Sequence, residues 1–190
     1  MDQILRLQHE ISQINVVVAN ARICNHYGPL VDMTDCDLWI HLEVNTFRLL
    51  RLFRALLPFL RASQHQLKSV YMPTELASLS RLEQNNASLT NAYGMSKAAG
   101  NCMSRRLYFE HEELTMFAVD PSFVQTDMRN RGACVKGLEM ATLTVDESVN
   151  GITRQIVQAT KASTSGQLLH YRANICRGKS YALVVHLMQN

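Results

Sequence analysis

Three short runs, Ile14 to Ala19, Leu67 to Met72 and Leu114 to Val119, are apolar almost without interruption, and the stretches between them are long enough for helices. Such runs suit strands covered on both faces, because alternate side chains then enter two buried surfaces; runs this short also fit buried helix. A fourth run, Gln167 to Tyr171, reads as a further strand. Between the first two, Cys36 to Ala62 places Leu38, Leu42, Leu49, Leu52, Phe53, Leu56 and Leu60 at mostly helical spacing. Ala92 to Glu113, carrying Tyr93, Ala98, Met103 and Leu107, is a second helix with a less regular apolar face. A third, Val145 to Ala162, follows Thr144 and sets Asp146 and Glu147 near the positive end of its dipole. Strand and helix in alternation predict an α/β layered fold with right-handed crossovers.

With 190 residues the chain is of single-domain size and can bury a proper core. A net charge of +3, on scattered Lys and Arg, gives no basic stripe, so no nucleic-acid partner is expected. The most apolar region, Phe47 to Leu60, is broken by Arg48, Arg51 and Arg54, which argues against a membrane span. The opening Met1-Asp2-Gln3-Ile4-Leu5-Arg6 lacks a signal-peptide layout, and a soluble cytoplasmic location is expected. Cys24, Cys36, Cys102, Cys134 and Cys176 are widely spaced and odd in number, which predicts reduced, mostly buried thiols. The histidines form no ligand spacing, so no metal is expected.

The segment Tyr93-Gly94-Met95-Ser96-Lys97 puts a phenol and an ammonium on one helix face. A phenol of pKa about 10 is a poor acid or base at neutral pH unless a cation stabilises its phenolate. Lys97 could supply that charge, giving a proton donor suited to reducing a carbonyl.

Three further landmarks flank this pair: Ala19-Asn20-Ala21 closing the first strand, Val44-Asn45-Thr46 inside the long helix, and Asp120-Pro121-Ser122-Phe123-Val124-Gln125-Thr126-Asp127-Met128 after the third strand. Together, over Ile14 to about Tyr171, they resemble the short-chain dehydrogenase/reductase family, in its fungal carbonyl and polyketide ketoreductase branch. That resemblance implies that Tyr93 protonates a carbonyl oxygen as hydride arrives from a nicotinamide. It implies that Lys97 holds the cofactor ribose and lowers the Tyr93 pKa, and that Asn45 anchors a water linking Lys97 to solvent. Asn20 would bridge neighbouring strands and line the cofactor pocket, while Pro121 and Thr126 would border the nicotinamide, Thr126 touching its carboxamide.

Against the family pattern, no strand with a glycine-rich turn precedes Ile14, and residues 1 to 13 resemble the tail of a helix leading into that strand. The expected fold is therefore a partial Rossmann-like doubly wound parallel sheet lacking the first three strands and the glycine-rich loop. Ile14 to Ala19 becomes an exposed apolar edge in that arrangement. Thr74 stands where the family places the serine that fixes the carbonyl, with Ser78 and Ser80 as nearby alternatives. Pro73 replaces a residue with a backbone donor, and Arg22 and Ser122 replace glycines. Residues 172 to 190 leave the family pattern, and Tyr181 to Met188 could add a strand or a helix.

The function implied is an oxidoreductase of ketoreductase type, transferring hydride from NADPH to a ketone on an aromatic or polyketide-like substrate of secondary metabolism. NADPH rather than NADH is an expectation of the family branch. The alternative is a truncated, inactive relative serving as an interaction module, or a fragment of a full-length reductase. The long helix and the Tyr93 helix resemble those of the family's dimer and tetramer contacts, which implies a homo-oligomer or pairing with a full-length relative.

Overall fold

The computed structural model describes residues 12–63 and 67–172. Four strands, β1 (Val16–Ala19), β2 (Lys68–Tyr71), β3 (Thr115–Asp120) and β4 (Leu168–His170), form one parallel sheet in the order β1-β2-β3-β4. Val18 stands opposite Val70, Val70 opposite Phe117, and Ala118 opposite Leu168. The first crossover holds α1 (Asp35–Leu42), a π-helical turn (Glu43–Phe47) and α2 (Arg48–Ala62); the second holds α3 (Asn91–Glu110); the third holds α4 (Asp127–Val135) and α5 (Val145–Gln158).

Helices cover both faces, because successive residues of the buried β3 point in opposite directions. Met116 joins Phe53 and Leu60 of α2, Leu107 of α3, Leu114 and the half-buried Val17 in one cluster. Phe117 and Val119 join Val70, Met72 and Leu169 in the other, closed by Ile152 and Ile156 of α5. This is the parallel α/β arrangement that the alternating runs imply, and its helices on both faces match the partial Rossmann-like sheet that the family resemblance implied. Arg48, Arg51 and Arg54 recur on the solvent face of α2, opposite the buried Phe53, Leu56 and Leu60.

Three local features depart from the sequence reading. The stretch Cys36 to Ala62 is helical throughout, but its register is broken by the π turn Glu43–Phe47. The helix from Val145 ends at Gln158, because Ala159 is extended and Thr160 caps a separate turn, Lys161–Thr164. Helix α4 was not anticipated, since its sequence mixes polar and apolar residues without a clear face. Helix starts follow their caps more closely: Thr34 with Asp37 and Thr144 with Glu147 each form a capping box.

The thiols also differ from expectation. Cys24 is buried, whereas Cys36, Cys102 and Cys134 are exposed, each lying on the outward face of a helix. Cys176, the segment 173–190 and the stretch 1–11 lie outside the described residues, as does the anticipated element at Tyr181 to Met188. No helix among the described residues is long and apolar enough to cross a membrane.

Candidate active site

The carboxyl ends of β2 and β3 meet the N-terminal turns of α3, which is where a parallel α/β sheet places its chemistry. On α3, Tyr93, Ser96, Lys97 and Gly100 fall at positions of one helix face and all are buried against the sheet. Gly100 is required there by close approach: a Cβ would lie 2.2 Å from the Tyr71 hydroxyl. The Tyr71 ring in turn sits 4.7 Å from the Lys97 Nζ, which donates to the Met72 carbonyl at 2.8 Å.

Burial dominates the electrostatics of this face. Desolvation pulls the Lys97 pKa down to about 7, helped by the charges of Arg22 and Arg129 and opposed by Asp120. Desolvation likewise pushes the Tyr93 phenol above its ordinary range, against the pull of Arg129 and Arg22. The expectation that Lys97 lowers the Tyr93 pKa therefore differs from what forms: the cations acting on the phenol are the two arginines, and burial outweighs them. Tyr93 is fully buried, and its hydroxyl has no hydrogen-bond partner among the described residues.

Asn45 lies in the π turn, a helix irregularity that recurs at functional sites. Its Oδ1 accepts from the Ile23 amide at 2.8 Å, and its Nδ2 donates to the Ile23 carbonyl at 3.0 Å and to Ser96 Oγ at 2.9 Å. Ser96 Oγ donates to the Tyr93 carbonyl at 2.9 Å, so Asn45 ties the loop after β1 to the turn of α3 that bears the phenol. Its described partners do not include Lys97. Asn20, at the end of β1, is exposed, and its side-chain oxygen accepts from Arg22.

Thr74 directly follows the buried Pro73 and is itself 3% exposed. Its Oγ1 accepts from the Leu76 amide at 3.4 Å and from Arg129 Nη2 at 3.2 Å. It lines a cavity of about 190 Å³ whose walls also include Tyr27, Asp120, Phe123 and Arg129. Ser78 and Ser80 are hydrogen-bonded to each other at 3.1 Å and are not walls of that cavity, so of these three candidates Thr74 is the one that lines it. A second groove of about 360 Å³, largely apolar, shares Leu76, Ser88 and Thr90 with the first.

Beyond β3, Pro121 is buried and its carbonyl accepts from Ser148 Oγ at 2.9 Å. Ser122 has φ +69°, a left-handed conformation that glycine adopts more easily, held by a 2.8 Å bond from its amide to Asp120 Oδ1. Burial pushes the Asp120 carboxyl above its usual range. Thr126 caps α4 through a 3.4 Å bond from the Arg129 amide, so its hydroxyl is engaged in the helix start. Arg129 escaped the sequence reading. Its link to Thr74 spans 55 positions, and only its place one turn into the helix after the Pro121 to Thr126 loop hints at it.

A parallel sheet with helices on both faces, and a Tyr and a Lys buried one turn apart at its carboxyl end, define a Rossmann-like α/β architecture. The profile described as enoyl-(acyl carrier protein) reductase matches residues 3–174. Norsolorinic acid ketoreductase of Aspergillus parasiticus is 38% identical over 167 residues, covering 88% of this chain and 62% of that protein. A short chain dehydrogenase of Penicillium aethiopicum is 31% identical over 169 residues, covering 86% of this chain and 67% of its own length. Among solved structures, the carbonyl reductase Sniffer of D. melanogaster superposes with a TM-score of 0.78 at 22% identity, over 92% of this chain and 71% of that one. NADPH-bound carbonyl reductase from chicken fatty liver gives a TM-score of 0.76 at 23% identity, over 90% of this chain and 68% of that one. The chain belongs to the short-chain dehydrogenase/reductase family. It spans 62% of the length of the norsolorinic acid ketoreductase it matches.

Proposed function

We propose that this chain carries the proton-transfer half of a ketoreductase that acts on a ketone of an aromatic or polyketide-like substrate in secondary metabolism, with NADPH as reductant. The observation that carries the reading is the Tyr93 hydroxyl, fully buried, without a partner among the described residues, and held in its protonated form by that burial. A buried hydroxyl is normally hydrogen-bonded, so one left free at the carboxyl end of the sheet fits a group that a ligand completes. The phenol is protonated at neutral pH and so has a proton to give; burial makes it a weaker donor, and the charges of Arg129 and Arg22 pull the other way, stabilising the phenolate left after transfer.

In this reading Tyr93 gives its proton to the ketone oxygen, and the Thr74 hydroxyl donates to that same oxygen and fixes its position. The residues fit a nicotinamide nucleotide in part: Lys97, Tyr93, Asn20, Pro121 and Thr126 would hold it, and Arg22 adds a cation at the loop after β1. NADPH, when bound, supplies the hydride. Lys97, with a pKa of about 7, can pass a proton toward Tyr93 near neutral pH after each turnover. Asn45 keeps a second lone pair on Oδ1 for the water that would connect Lys97 to solvent. The norsolorinic acid ketoreductase relatives and the NADPH-bound carbonyl reductase neighbour support the substrate and cofactor classes.

The test is saturable NADPH binding by the purified chain, followed by fluorescence or calorimetry, with reduction of a quinone and an aromatic ketone assayed beside a Tyr93→Phe variant. The expected result is binding in both proteins and turnover reduced at least about a hundredfold in the variant, the usual loss for a general acid. A folded chain that binds no NADPH overturns the catalytic reading. The second reading, an interaction module that pairs with a full-length relative, is favoured by the open apolar edge at Val16 and Val18.

A further inference from the structure

Arg129 is placed where a substrate has to be. Its Nη2 donates to Thr74 Oγ1 at 3.2 Å, and its guanidinium lies 5.4 Å from the centroid of the Tyr93 ring and 6.0 Å from that of Phe123. It lines the cavity, whereas Tyr93 does not. The guanidinium thus sits on a lone pair of the hydroxyl assigned to the carbonyl and over the ring of the phenol assigned to the proton.

Its charge has no carboxylate in ion-pair contact among the described residues. Of the acidic groups in the cavity wall, Glu75 is already paired with Arg81 at 2.8 Å. Asp120 is bound to the Ser122 amide, and burial pushes its carboxyl toward the neutral form. The remaining charged wall residue, Lys136, adds a second cation, its Nζ 5.7 Å from the Phe123 centroid. Tyr27 and Cys24 also face the cavity and hold their protons, both pushed up by burial. A guanidinium offers five donors in a plane; here one side-chain bond, to a neutral hydroxyl, is described. Half-buried cations with this little compensation are stabilised when an anion arrives, and planar oxyanions match the fork in two places. Phe123 and Tyr27, both in the wall, supply aromatic surface for a ring bearing that anion.

We infer that Arg129 is the specificity-determining residue of this cavity, reading an ionised oxygen, phenolate or carboxylate, on an aromatic carbonyl substrate. The inference rests on the reductase reading above for the ketone and adds the acidic group. Pairing with that oxygen draws the guanidinium away from the Thr74 Oγ1 lone pair and from the Tyr93 ring, which leaves the Thr74 O–H and the phenol open to the ketone. An acidic aromatic ketone then opens the site that a neutral one leaves covered.

The test needs neither cofactor nor turnover. A monohydroxyanthraquinone, whose visible band shifts on ionisation, and its methyl ether are titrated into the folded wild-type chain, Arg129→Gln and Arg129→Lys, with circular dichroism as the fold control. The wild type is expected to bind the hydroxy compound about tenfold more tightly than the ether, the worth of one charge-assisted bond, and to hold it as the phenolate at a pH where the free dye is neutral. Arg129→Gln is expected to lose both the preference and the band shift, and Arg129→Lys to keep part of each. Equal binding of dye and ether by the wild type overturns the inference alone. Binding of neither by the folded wild type overturns it together with the aromatic substrate reading.

Discussion

At the scale of single residues, the site is governed by desolvation more than by its charges. Lys97 titrates near pH 7 in the folded chain against 10.5 for a free lysine. Between those values the unfolded chain carries a proton that the folded chain does not, so unfolding becomes harder as pH rises. The penalty of burying Lys97 is complete below about pH 7 and is relieved progressively above it. Cys24, pushed above the ordinary thiol range by burial, acts in the opposite sense in more alkaline solution, because the folded thiol keeps its proton longer. The clean window is therefore about pH 7 to 9. Urea denaturation across it is expected to show wild type gaining stability relative to Lys97→Met, at a slope of up to about 1.4 kcal/mol per pH unit. Parallel pH dependences for the two proteins would mean that the ammonium stays hydrated.

At the scale of elements, α3 is a helix whose composition is set by what lies beneath it. Gly100 interrupts a helix interior, where alanine would be better by about 1 kcal/mol on propensity alone. A Cβ at that position would stand 2.2 Å from the Tyr71 hydroxyl and 2.9 Å from its Cζ. Tyr71 is a rigid ring, 4% exposed, in the middle of the sheet, so it has little room to withdraw. Gly100→Ala is expected to lower stability by about 1–3 kcal/mol despite the better helix former, as overpacking does. Because the same ring faces the Lys97 Nζ, the variant should also shift the lysine titration; a thermal midpoint at or above wild type would show that Tyr71 yields freely. Strands and long helices were legible because burial on two faces, or one, writes a period into the sequence. The strand limits at Val16, Lys68, Thr115 and Leu168 fall within two residues of the apolar runs. The π turn at Glu43–Phe47 leaves no period of its own, and α4 has no continuous apolar face. Arg129 was illegible for a further reason: its role arises from a contact with Thr74 across two crossovers, which no local pattern encodes.

At the scale of the whole molecule, the two faces of the sheet are unequally covered. Val17 turns toward α2 and joins the cluster of Phe53 and Leu60. Its neighbours Val16 and Val18 share the opposite face with Lys68 and Val70, in register, and that face is closed by Ile152 and Ile156 of α5. The cover stops short of β1: Val16 is 41% and Val18 is 42% exposed. β1 is also the edge of the sheet among the described strands, so unpaired backbone groups and exposed valines coincide there. An uncharged apolar edge of that kind is a template for another strand. Concentration-dependent self-association of the isolated chain is therefore expected, visible as a rise of scattered-light mass with concentration. Val18→Lys, which sets a charge on the open face without touching the Val17 cluster, should suppress that rise while leaving the circular dichroism unchanged. Equal association of wild type and variant would place the contact elsewhere, with the exposed Trp39 and Phe47, whose rings lie 5.7 Å apart beside the π turn, as the next surface to change.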